Sequence, residues 1–67
     1  MKKQYSLVGI DGNAFNVMAY VKRAMQAEKS SKESVSAYLK DATSGDYDHL
    51  LAVSARIIEQ LNNGESL

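Results

Sequence analysis

Cysteine is absent from this chain, which excludes disulfide bridges and thiolate metal sites. There is one histidine, His49, too few for a histidine-rich zinc centre. Proline is absent too, and no linker, low-complexity segment or internal repeat divides the chain. Neither sign of charge is in excess: eight basic and eight acidic residues balance to zero. The sequence therefore carries no electrostatic footprint for nucleic acid, and equally none of the surplus of an acidic DNA mimic. No stretch approaches the roughly 20 apolar residues that span a bilayer. The basic start Met1-Lys2-Lys3 imitates a secretion signal, but the apolar run behind it (Leu7, Val8, Ile10) is too short and is halted by Asp11. The expectation is a soluble, cytoplasmic protein that does not engage a membrane.

What is present is ordinary globular material: 67 residues, 45% of them apolar and 24% charged. That length allows a single domain, residues 1–67. A domain this small buries a modest share of its surface and usually needs reinforcement. With disulfides, thiolate metal sites and a histidine-rich zinc centre excluded, oligomerisation is the expected reinforcement, and well-packed helices alone are the alternative.

The apolar pattern predicts one short strand and three helices, a mainly α fold. Residues 5–10 read as the strand: Tyr5 and Leu7 alternate with Val8 and Ile10. A lone strand leaves its N–H and C=O groups unpaired. Pairing with the same strand of another protomer, in a homodimer, is the expected solution; a strand supplied by a target protein and a solvated arm are the alternatives. A helix over about 14–29 is predicted by Ala14, Val17, Met18, Val21, Ala24 and Met25, which share one face. Asp11 or Asn13 would cap it, and Lys22, Arg23 and Lys29 would suit its C-terminal end. A second helix, about 31–43, carries the stripe Val35, Tyr38, Leu39, Ala42; Ser30 and Glu33 have capping-box spacing, and Gly45 is the expected left-handed stop. The third, about 46–62, has the strongest stripe: Leu50, Val53, Ser54, Ile57, Ile58, Leu61. Asp46 would cap it, with Asp48 adding charge in its first turn.

Two polar turns hold nearly all the side chains capable of chemistry: Asp11-Gly12-Asn13 and Thr43-Ser44-Gly45-Asp46-Tyr47-Asp48-His49. Asp46, Asp48 and His49 offer two carboxylates and an imidazole for a divalent ion or acid–base work. Yet the spacing is not that of a calcium loop, and capping explains both aspartates, with His49 covering a neighbouring loop. Asp11-Gly12-Asn13 joins a strand to a helix, an anion-friendly corner. The phosphate-loop pattern is missing, and Asp11 would repel a phosphate. No metal and no cofactor is expected. A helix-turn-helix outline is present in the second and third helices, but Asp46 and Asp48 would stand where a recognition helix meets DNA. Lys22, Arg23, Lys29 and Lys32 cluster instead around the first inter-helix turn. Among the aromatics, Phe15, Tyr20 and Tyr47 fit a single core poorly; an exposed Phe15–Tyr20 surface would suit a partner chain, and packing against the strand is the alternative.

The runs from Leu7 to Phe15, with Asp11-Gly12-Asn13-Ala14-Phe15, and from Ala42 to Leu51, with Thr43-Ser44-Gly45-Asp46-Tyr47-Asp48-His49, resemble a group of small uncharacterised proteins encoded by bacteriophages, prophages and other mobile elements. The resemblance brings no catalytic residue. It implies a small accessory protein in a bacterial cytoplasm, acting on a host factor. The expected function is a non-enzymatic interaction module for a host protein, defence and transcription proteins included, with binding residues drawn from Asp11, Asn13, Phe15, Tyr20, Tyr47, Asp48 and His49. The rival expectation is a small-ligand site, for a nucleotide or a metal, formed where the two polar turns converge.

Overall fold

Three stripes of apolar residues, each repeating at helical spacing, build three helices that close on one core. The computed structural model describes residues 5–10 and 12–67, with α1 at Ala14–Ala27, α2 at Lys32–Ala42 and α3 at Tyr47–Asn62. Each helix starts on a short polar side chain that accepts a first-turn N–H. Asn13 accepts from Phe15, Ser31 from Ser34 and Asp46 from His49. The cap of α2 is therefore Ser31, one residue later than the Ser30–Glu33 spacing predicts. The connections are short, 28–31 and 43–46, which lays consecutive helices side by side.

The core lies where the sequence pattern puts it. Val21, Ala24 and Met25 of α1 meet Val35, Tyr38 and Ala42 of α2 and Leu50, Val53, Ile58 and Leu61 of α3. Ala14, Met18, Leu39 and Ile57, also on the predicted stripes, pack half-buried around it. One polar contact sits inside: Tyr38 Oη and Ser54 Oγ are 2.6 Å apart and share a hydrogen bond. Ser54 is fully buried, so Tyr38 satisfies an oxygen that would otherwise be stranded. Burial pushes the Tyr38 phenol above its ordinary pKa, and the Ser54 hydrogen bond pulls it partly back.

α1 ends two residues before the predicted boundary, and its last turn contains no basic side chain. The Lys29 N–H reaches the Gln26 carbonyl at 3.0 Å and the Ser30 N–H reaches Met25 at 2.9 Å. That pair of bonds is the Schellman closure, and it places Lys29 at φ 61°, a region lysine tolerates poorly. α3 closes in the same way. Gly64 bonds to Leu61 and Glu65 to Gln60, and here the left-handed residue is a glycine, at φ 79°.

The predicted strand at 5–10 is not a strand, and no strand occurs among the described residues. Leu7 to Ile10 forms a turn closed by the Ile10 N–H on the Leu7 carbonyl at 3.3 Å, with Gly9 at φ 83°. The segment is a strap across α1 and α3. The Asn62 carboxamide does for Tyr5 what a neighbouring strand's peptide would do. Its Oδ1 accepts from the Tyr5 N–H at 2.7 Å, and its Nδ2 donates to the Tyr5 carbonyl at 2.9 Å. Further on, Tyr20 Oη accepts from the Ser6 N–H at 2.9 Å. Side chains of the same molecule thus supply the hydrogen bonds that a second protomer was expected to supply, and the argument for inter-protomer strand pairing falls with the strand.

Candidate functional site

The second polar turn joins two helix ends, and most of its side chains serve that joint. A helix leaves its last carbonyls without intrahelical partners. At the end of α2, Thr43 Oγ1 donates to the Leu39 carbonyl at 2.8 Å, and Ser44 Oγ donates to that of Asp41 at 2.7 Å. His49 Nε2 lies 2.9 Å from the same Asp41 carbonyl and 3.0 Å from Asp41 Oδ1. Both oxygens only accept, so Nε2 carries the proton. Asp46 caps α3 in the same stretch, and Asp48 stands in its first turn, where a negative charge suits the dipole.

Gly45 has a different role from the predicted one. It does not adopt the left-handed conformation. A methyl group at Gly45 would lie 2.9 Å from His49 Cβ and Cγ, so the glycine makes room for the imidazole. Ser44, His49 and Asp41 are the residue types of a nucleophilic triad. Their geometry differs, because Ser44 Oγ (3.4 Å) and Asp41 Oδ1 both face Nε2. In a triad the two partners occupy opposite ring nitrogens. This cluster closes a helix.

The two polar turns do meet, through one bond. Tyr47 Oη donates to the Gly12 carbonyl at 2.5 Å. Beside it is a concavity of about 260 Å³, where Ala14 and Met18 face Ala42, Tyr47 and Leu50. Asp46 reaches its edge, whereas Asn13, Asp48 and His49 do not line it. Asn13 remains in its own cap, 2.8 Å from the Phe15 N–H. Asp11 lies outside the described residues. No group of three or more His, Cys, Asp or Glu side chains gathers as a metal site among the described residues.

The aromatic candidates separate clearly. Tyr20 serves the strap: its ring meets that of Tyr5 edge-on, 6.5 Å between centroids, and its hydroxyl holds Ser6. Tyr5 in turn donates to Glu28 Oε2 at 2.5 Å, and a phenol donating to a carboxylate is held above its ordinary pKa. Phe15 is the opposite case, 77% exposed on the first turn of α1, and Val8 at the strap's turn is 89% exposed.

Sequence reasoning missed Asn62, which holds Tyr5, and Asp41, which receives His49. It also missed Gln26 of α1 and Ser36 and Leu39 of α2 as the lining of one groove. Their spacing offered a signal: Lys22 and Gln26 are one turn apart on α1, and Lys32, Val35, Ser36 and Leu39 share a face of α2. No helix among the described residues is long and apolar enough to cross a membrane. Comparison with known protein families, with curated proteins and with solved structures returns no match.

Proposed function

We propose that this chain is a small non-enzymatic interaction module, an accessory protein of a bacteriophage or other mobile element that binds and modulates a host protein in a bacterial cytoplasm. One observation carries the reading. Asn13, Thr43, Ser44, Asp46 and His49 are engaged in caps and inter-helix bonds, while Phe15 stands 77% exposed and takes no part in the core. Tyrosine, tryptophan and phenylalanine are enriched at the cores of protein interfaces, so an exposed Phe15 is a natural anchor for a partner. The resemblance of 7–15 and 42–51 to mobile-element proteins supplies the context, including a host defence or transcription protein as the target.

The test is affinity capture from bacterial lysate with the tagged chain and its Phe15→Ser variant. A protein retained by the wild type and lost by the variant, with both chains equally helical by circular dichroism, supports the reading. Equal capture by both, or capture of nothing, removes Phe15 as an anchor and the reading with it.

The concavity beside Tyr47 favours a second reading, a small-ligand protein holding a nucleotide there, with divalent cations as the comparison ligand. Calorimetric titration with nucleoside phosphates and with divalent cations tests it. Saturable heat that disappears in Tyr47→Phe selects this reading, and its absence discards it.

A further inference from the structure

α3 packs against both other helices and fills one side of the α1–α2 hairpin. On the other side α1 and α2 diverge and leave a groove of about 290 Å³. No residue of α3 lines it. Its floor is apolar, made by Val35 and Leu39, one helical turn apart. Lys22 and Gln26 form the α1 wall, and Lys32 and Ser36 form the α2 wall. Ser30 stands at the end nearest the inter-helix turn, and its Oγ is buried with no hydrogen-bond partner. No aspartate or glutamate lines the groove. Neither lysine forms a salt bridge with a described residue.

The geometry points to this groove as a docking site for an acidic amphipathic segment of another protein. This rests on the interaction-module reading and adds the partner's chemistry. Charge complementarity selects the occupant: two lysines, one from each helix, line the groove and no carboxylate does, so flanking carboxylates are favoured and flanking lysines are repelled. The floor selects its apolar side. From Lys32 to Leu39 the groove runs two helical turns, about 10 Å, and a guest helix with two apolar residues one turn apart matches Val35 and Leu39. Nucleic acid fits less well. A phosphate backbone offers nothing to an apolar floor, and the chain has no net positive charge.

The probe is a fluorescein-labelled synthetic peptide of roughly four helical turns, with leucines at i, i+4 and i+7 and glutamates elsewhere. Fluorescence anisotropy should show saturable binding. Amide shifts in a nitrogen–proton correlation spectrum should concentrate at Lys22, Gln26, Lys32, Ser36 and Leu39. Lys22→Glu with Lys32→Glu should weaken binding about tenfold or more. Both sites are exposed, and glutamate at the start of α2 suits the helix dipole, so the fold survives. Ser36→Trp, which fills the groove without changing charge, should weaken binding as well. A lysine-for-glutamate version of the peptide should not bind.

Absence of binding, or binding indifferent to both variants, overturns the inference. Equal binding of a short DNA duplex, lost with the same lysines, reassigns the groove to nucleic acid. A host protein captured through Phe15 but unaffected by the groove variants removes this inference and leaves the interaction module standing.

Discussion

Leu61 and Asn62 are neighbours in sequence and belong to two regions held together by different means. Leu61 is 1% exposed and joins a stripe that faces the core along the whole of α3. Asn62, half-buried, fixes the strap through its carboxamide on Tyr5. The helical core rests on many interchangeable apolar contacts. The strap rests on the partial burial of Tyr5 and Leu7 and on a few hydrogen bonds to specific side chains. Removing part of the core should therefore cost the whole domain, whereas cutting a strap bond should free one segment.

Leu61→Ala is the largest break. Truncation of a fully buried leucine costs about 2–5 kcal/mol. A domain of this length holds roughly 3–10 kcal/mol in total, so urea denaturation should show the whole transition shifted to low denaturant or lost. If only the amides near residue 61 lose protection from hydrogen exchange, the core is less cooperative than its packing implies.

The Tyr38–Ser54 bond sharpens the comparison, because it is strap chemistry placed inside the core. Tyr38→Phe leaves the buried Ser54 oxygen without its partner and should cost about 1–3 kcal/mol, with part recovered on adding Ser54→Ala. The phenol also predicts a pH dependence. Its folded pKa lies above its ordinary value near 10, so its contribution is complete below pH 10 and is lost as pH climbs from there through the folded value. Tyr5, held up by its bond to Glu28, acts in the same sense. Thermal melts above pH 10 should fall less steeply in Tyr38→Phe than in the wild type. Parallel slopes would remove Tyr38 from the alkaline transition.

Asn62→Ala should cost about 1 kcal/mol, since water can partly replace the lost bonds at a half-buried site. Hydrogen exchange is the discriminating measurement: Tyr5 and Ser6 amides should lose protection while the core amides of α1 and α3 keep theirs. Global loss would mean that the strap is part of the core after all.

The smallest effect compares the two helix ends. Lys29 and Gly64 occupy the same position of the same closure. Lys29→Gly should stabilise by about 0.5–1 kcal/mol by relieving the left-handed lysine, and Gly64→Lys should cost a similar amount. Thermal melting measures both. No gain at Lys29 would mean that the lysine side chain compensates its backbone.

Legibility followed the distance between partners along the chain. The stripes of α1, α2 and α3 repeat every three or four residues, so Val21, Tyr38 and Leu50 were identifiable as core. Asn13 and Asp46 accept from N–H groups two and three residues on, and both were readable as caps. Ser31 was mistaken for its neighbour Ser30 because two adjacent serines offer the same chemistry. Gly45 was read as a left-handed stop because a glycine's reason for being small is invisible until its neighbour, here His49, is placed. The strap was misread because alternating apolar residues look alike in a strand and in an extended segment crossing two helices.

The chain's own pattern determined that it forms three amphipathic helices with caps at their starts, because the bonds and faces involved repeat within a turn. Only the tertiary structure decided that Tyr5 is held by Asn62, 57 residues away, and Gly12 by Tyr47, 35 residues away. It likewise decided that α1 and α2 part on the side away from α3, opening the groove between Lys22 and Lys32. A side chain's distant partner is selected by which helices lie against each other, and that arrangement emerges from burial summed over the whole chain rather than from any local spacing.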